Sequence, residues 1–185
     1  MHKAARRRGG DPVSSLSKGV RKAEVSLRWD PSPRGEAPHD LDLVAGMYEG
    51  SGESGDPAYV VHFDSRSPDG TIILNRHSDT GQGFGDDEVL TLEFDRMAPV
   101  YGRVVVGVVI QQRDGRRVFG DIAHVGLSVE EDHRELAAED FSSVSGSTAA
   151  VVCEFRRSAG GAWTFQPVLR GHDADPEGFL RAMGR

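Results

Sequence analysis

The sequence predicts an all-β chain, a two-sheet β-sandwich of about nine to ten short strands with a short C-terminal helix. Three observations carry this expectation. Apolar and polar residues alternate with a period of two in stretch after stretch, as in strands buried on one face. The 23 glycines and nine prolines supply turn chemistry between those stretches. Only Asp175 to Met183 has a helix start, an Asp cap with Pro in the first turn. A chain of 185 residues holds one domain with a proper core and is short for two.

Taken in order, residues 1–12 read as a disordered basic arm and residues 13–185 as the sandwich domain. Val25, Leu27 and Trp29 alternate with Glu24, Ser26 and Arg28, a strand that Asp30-Pro31-Ser32-Pro33-Arg34-Gly35 ends. Asp40 to Tyr48 is the next strand, and Glu49 to Pro57 a mobile polar loop. Tyr59 to Phe63 and Thr71 to Leu74 are strands flanking a Pro68-Asp69-Gly70 turn. Val89 to Phe94 follows. Arg103 to Ile110 is the most continuous apolar run and therefore the expected central strand, buried on both faces. Beyond the Asp114-Gly115 turn, Ala123 to Val129 and Ser147 to Phe155 are strands. Ser158 to Gly161 then joins the latter to Trp163–Val168 as a hairpin.

Charge is distributed unevenly. The net charge is −7, yet residues 1–22 carry seven Lys/Arg against Asp11 alone, a net of +6, so the remainder carries −13. An acidic body argues against nucleic acid as a ligand and suits a cation. Arg6-Arg7-Arg8 reads as a solubilising tail. The single cysteine, Cys153, excludes an internal disulfide and fits a reducing, cytoplasmic compartment. Its neighbours in Ala149–Phe155 mark it as a small buried thiol. No stretch approaches a membrane span, and the basic N-terminus has no apolar segment behind it to make a secretory signal.

The chemistry concentrates between Ser67 and Glu88. Gly81, Gly83 and Gly85 let the backbone turn tightly and present carbonyls, and Asp86, Asp87 and Glu88 follow directly. A carbonyl-presenting loop with several carboxylates suits a hard cation such as Ca2+, which takes about six to eight oxygens. Asp69 and Asp79 lie upstream. The acids after the glycines would repel a phosphate, and the following segment is a strand, so a nucleotide loop is not supported. Nor is it an EF-hand: the twelfth position from Asp79 is Leu90, where that motif needs Glu. A solvated acidic turn remains open on residue chemistry alone. Asp40 and Asp42 share one face of their strand and enter it from a loop. All five acids, Asp40, Asp42, Asp86, Asp87 and Glu88, are therefore expected at one edge of the sandwich. Paired carboxylates can hydrolyse glycosides, but aromatic residues make up only 7% of the chain and Trp29 and Trp163 read as core. No nucleophile elbow or zinc-spaced histidines are present, so an enzyme is not expected.

These motifs together resemble the calcium-binding tellurium-resistance and stress-response proteins of the TerD family. The similarity runs from about Val13 to the terminal helix. It is carried by Val13-Ser14-Ser15-Leu16-Ser17-Lys18-Gly19, Val25–Asp30, Asp40-Leu41-Asp42-Leu43-Val44-Ala45, Ser67–Gly70, Phe119-Gly120 and Trp163–Gly171. The most specific piece is Thr80-Gly81-Gln82-Gly83-Phe84-Gly85-Asp86-Asp87-Glu88. The resemblance implies a non-catalytic Ca2+-binding sandwich in bacterial stress response, tellurite resistance included. It implies partners that are proteins of a membrane-associated complex, with the chain cytoplasmic and peripheral to the inner face of the membrane, and neither nucleic acid nor a small-molecule substrate. Carried over by position, it places the metal at Asp40, Asp42, Asp86, Asp87 and Glu88 with backbone oxygens around Gly81 and Gly83; Asp79 joins them as a compensating ligand, and Asp69, His77 and Ser78 are accessory candidates. One departure stands out. Where the family carries Gly-Asp-Asn, this chain has Arg76-His77-Ser78, which exchanges a carboxylate for an imidazole. That departure implies a lost ion, weaker Ca2+ binding, or a metal-free interaction module of the same fold. His124 also stands where the family prefers Asn.

Overall fold

In the computed structural model, which describes residues 19–51 and 55–185, the alternating stretches become ten strands in two five-stranded antiparallel sheets. In chain order these are β1 (Lys22–Arg28), β2 (Leu41–Glu49), β3 (Tyr59–Val61), β4 (Ile72–Arg76), β5 (Glu88–Glu93), β6 (Tyr101–Ile110), β7 (Gly126–Glu131), β8 (Arg134–Glu139), β9 (Ala149–Arg157) and β10 (Trp163–His172), with helix α1 at Pro176–Ala182. One sheet runs β4-β5-β1-β7-β8 and the other β10-β9-β6-β2-β3. The basic arm, residues 1–12, and the motif at 13–18 lie outside the described residues, as do positions 52–54 of the polar loop.

The inner faces meet over Val25, Leu27, Leu90 and Leu92 from one sheet and Leu41, Leu43, Val104, Val106 and Val108 from the other, all buried. Cys153 is buried with them, and burial pushes its thiol pKa far up. The outer face of the β6 sheet is covered too. Phe179 within α1 and Met183 just beyond its end pack on Val44, Tyr48, Val105, Val109 and Val151. This explains the unbroken apolar run of β6, whose two faces both need apolar side chains. Gly107 permits the contact: a Cβ there would lie 2.6 Å from the Phe179 ring. Asp175 caps the helix by accepting the Gly178 N–H at 2.6 Å.

Two elements differ from the sequence reading. β8 was not anticipated. It pairs with β7 through Asp132 and His133, both left-handed at φ 48° and 64°, a tight hairpin turn made without the usual glycine. The strand expected from Ala123 begins only at Gly126, because His124 is itself left-handed at φ 51° and turns the chain before it can pair.

Candidate metal centre

The site begins with an unfinished strand pairing. β3 pairs with β2 only opposite Ala45, Gly46 and Met47, so among the described residues the start of β2 has no strand neighbour on that side. Glu88, the first residue of β5, fills the gap. Its side chain lies on the same inward parity as Leu90 and Leu92 and is 0% exposed. Oε2 accepts the N–H of Leu43, replacing the missing strand with a carboxylate. Oε1 contacts Nδ1 of His77, the residue just beyond β4. Asp42 Oδ1 lies 3.9 Å from the same nitrogen, and Asp42 Oδ2 accepts from the side-chain amide of Gln111. Asp42, His77 and Glu88 thus offer three ligand atoms within 4.8 Å of one another.

A second layer surrounds them. His77 Nε2 lies 2.6 Å from Asp79 Oδ1, and Phe63 stacks on the imidazole with centroids 4.9 Å apart and planes inclined by 15°. Asp40 Oδ2 lies 3.2 Å from the Arg113 guanidinium, while its Oδ1 is buried with no hydrogen-bond partner among the described residues. Burial, reinforced by the charge of Asp42, pushes the Asp40 pKa up to about 6. Burial raises that of Asp42 as well. Burial lifts the Glu88 carboxyl from 4.5 to about 8, outweighing the hydrogen bonds it accepts from Leu43 and His77. For His77, burial works downward, but the Glu88 and Asp79 carboxylates prevail and hold its pKa above the usual imidazole value. Crowded carboxylates that resist ionisation are what an uncompensated anionic site looks like.

The other anticipated residues lie elsewhere. Asp87 turns towards β1: its carboxylate accepts the Trp29 N–H at 2.9 Å, and its own N–H donates to the Leu27 carbonyl. Asp86 lines a cleft with Ser26, Arg28 and His124. Gly81, at φ +66°, allows close passage over Trp29, whose indole nitrogen would lie 2.5 Å from an added Cβ. Gly83 lines the same side of the loop as Asp87 and Asp30. Ser78 Oγ accepts the Gly81 N–H at 3.1 Å, a local loop bond. Asp69 accepts from Ser67, Thr71 and the Ala98 N–H and serves its own turn. The five acids therefore do not all converge. Asp42 and Glu88 meet, Asp40 stands beside them, and Asp86 and Asp87 face the Trp29 side. Gln111, Arg113 and Phe63 went unrecognised in the sequence. The first two reach the site because the end of β6 pairs with the start of β2, Ile110 opposite Leu41, a register no local pattern announces.

The donor set fits a divalent cation: two buried carboxylates, an imidazole, and an unpartnered Asp40 oxygen near them. It fits Ca2+ less well, because one of the three clustered donors is a nitrogen and Ca2+ sites are built of oxygen. Beside the cluster the loop tip presents Phe84, 98% exposed, its carbonyl held by Arg76 at 3.2 Å.

The TerD domain family matches residues 9–182 of this sequence. The chain belongs to the TerD family. Among its relatives, the uncharacterized protein YceE of Bacillus subtilis (strain 168) is 29% identical, the alignment covering 93% of this chain and 92% of that protein. The tellurium resistance protein TerD of an Alcaligenes species is 28% identical over 89% and 88% of the two chains. Two crystal structures share the fold at a TM-score of 0.88. The unknown-function protein SAV2460 is 56% identical and aligns over 90% of this chain and 98% of its own. A homologue of telluride resistance protein (TerD), SCO6318 from Streptomyces coelicolor A3(2), is 49% identical over 90% and 99%.

Proposed function

We propose that this TerD-family chain is a non-catalytic, cation-binding interaction module of a bacterial stress response of the tellurite-resistance kind. Its working unit is residues 13–185, with residues 1–12 as a solubilising arm. The observation that carries the reading is Glu88: a carboxylate with no exposure, facing Asp42 and neighbouring Asp40 and Asp79, with too little positive charge beside it. A divalent cation relieves that repulsion. The family resemblance names Ca2+, and the oxygens in reach of it are those of Asp40, Asp42, Asp79 and Glu88. An ion there joins β2, the exit of β4 and the start of β5, and so couples binding to the order of the 77–88 loop. That loop carries Phe84, whose ring is free to anchor a partner protein. The partners are other proteins of a stress-response complex at the inner face of the membrane, with the chain cytoplasmic; nucleic acid and small-molecule substrates play no part.

Calorimetric titration of chelator-stripped protein with Ca2+, with Mg2+ as control and Glu88→Gln alongside, tests this. Saturable binding that the variant loses supports the reading. A metal-free module of the same fold predicts no heat and an unchanged melting temperature with Ca2+, Mg2+ or a transition-metal ion, and that outcome across all of them would sink the cation-dependent mechanism.

A further inference from the structure

An oxygen-seeking ion gains nothing from an imidazole, yet an imidazole nitrogen is the donor shared by both buried carboxylates. His77 Nδ1 touches Glu88 Oε1 and stands 3.9 Å from Asp42 Oδ1. The opposite nitrogen, Nε2, is 2.6 Å from Asp79 Oδ1. A carboxylate on the far nitrogen is the arrangement that orients metal-ligating histidines: it accepts the Nε2–H, fixes the tautomer and leaves the other lone pair facing the ion. Phe63, stacked on the ring, holds its plane. The imidazole is thus braced on an edge and a face while Nδ1, in contact with Glu88 Oε1, faces the two carboxylates.

Those carboxylates are also limited in what they can give. Glu88 has committed Oε2 to the Leu43 N–H, and Asp42 has committed Oδ2 to Gln111. Each therefore has one oxygen that no other of these groups occupies. Bidentate ligation, a common route to the high coordination number of Ca2+, would make the ion share an oxygen that already accepts a hydrogen bond. One nitrogen and two single oxygens can instead supply three corners of a tetrahedron. Around a Zn2+ held at roughly 2.0–2.2 Å, such corners lie roughly 3.3–3.6 Å apart, so Asp42 Oδ1 needs only a small closure on His77 Nδ1 from 3.9 Å, while the ion must part Nδ1 from the Glu88 Oε1 it touches.

We infer that Asp42, His77 and Glu88 form a site for a borderline transition-metal ion of the Zn2+ class, with Asp79 as its positioning residue, where the family would place Ca2+. This rests on the cation-binding reading and narrows its ion. The nitrogen and the low oxygen count both favour such an ion over Ca2+. With two carboxylates and a neutral imidazole the ion is charge-balanced, and the fourth corner is left for water.

The test uses the full chain, stripped with chelator and titrated separately with Zn2+, Ca2+ and Co2+, the last followed by visible absorption. Zn2+ is expected to bind with one-to-one stoichiometry, and Co2+ to give the d–d band of a tetrahedral site. His77→Asn should weaken Zn2+ by about 100-fold or more and abolish the Co2+ band. Asp79→Asn, at a side chain 69% exposed and so harmless to folding, should weaken it about 10–100-fold. His77→Asp returns an oxygen donor and should raise Ca2+ affinity by about tenfold. Tight Zn2+ binding that survives His77→Asn would overturn the assignment by placing the ion on other histidines. Ca2+ binding without Zn2+ binding would overturn it while leaving the cation-binding reading intact. Binding of neither ion removes both.

Discussion

Two groups of buried charge lie at opposite ends of β2, and they are solved in opposite ways. Near Tyr48, Arg103 of β6 and Glu154 of β9, 3% and 5% exposed, form a bidentate pair with contacts of 3.1 and 2.7 Å. Arg103 also donates to the Gly184 carbonyl at 2.7 Å and stacks over the Tyr48 ring at 5.1 Å. It thereby fastens the end of the chain over the apolar outer face. Burial alone would raise the Glu154 pKa, but the hydrogen bonds and charges of Arg103 and Arg156 bring it below the usual carboxylate range. Near Asp42, by contrast, the acids outnumber their cations and resist ionisation. Buried charge matched within the chain fastens structure; buried charge left negative asks for an ion from outside.

The largest effect that would break this contrast is in the matched pair. Arg103→Met leaves the buried Glu154 with only the half-exposed Arg156 as its partner and should cost about 3 kcal/mol in urea denaturation, most of it recovered in Arg103→Met/Glu154→Met. A mild single variant would mean the pair is not what holds the C-terminus. At the other end the added ion should stabilise: at a free concentration of 100 times its Kd it contributes about 2.7 kcal/mol, seen as a higher melting temperature. In Glu88→Gln that gain should vanish, while the metal-free protein at pH 8 becomes more stable by roughly 1–2 kcal/mol, because a carboxylate that burial disfavours is gone.

The pH dependence should separate the two ends as well. Glu88 and Asp40 have folded pKa values raised from 4.5 and 3.8 to about 8 and about 6. The folded state therefore holds protons that the unfolded chain releases. Their contribution is fully present below 4.5 and 3.8 and is lost as pH rises through 8 and 6. His77, also raised, contributes fully below 6.5 and loses its share as pH climbs through its folded value. Glu154 runs the other way: its folded pKa is depressed, so its contribution is present above 4.5 and lost as pH falls through the folded value. Metal-free melting temperatures should thus decline from pH 5 to 8.5, and Glu88→Gln should flatten the slope; a flat wild-type profile contradicts the site's electrostatics. The smallest effect on stability belongs to Phe84→Ser, within about 0.5 kcal/mol. If the loop tip anchors a partner, that variant should fold normally and lose crosslinking to it in cell extracts.

Much of the framework was legible in the chain itself. The alternation of β1, the apolar run of β6 and the Asp175 cap each act through neighbours in sequence, so local pattern exposes them. β8 escaped because a left-handed Asp132-His133 pair makes a turn without glycine. At the site, the pattern marked Asp42 and Glu88 as candidate ligands but could not separate them from Asp86 and Asp87. Adjacent residues on a strand point to opposite faces, and only the register of the surrounding strands decides which face meets what. His77 illustrates the limit most sharply. Read along the chain, it is a carboxylate lost from a metal loop; in space, it is the group that Glu88, Asp42 and Asp79 surround.

The sequence by itself determined that this is an all-β TerD-family sandwich with an acidic body and an anionic, glycine-bearing loop, because periodicity, turn residues and charge are local properties. Only the tertiary structure decided which carboxylates share a site. The choice depends on β3 stopping short of the start of β2, and on a glutamate from the opposite sheet taking the hydrogen bond that a strand would have made.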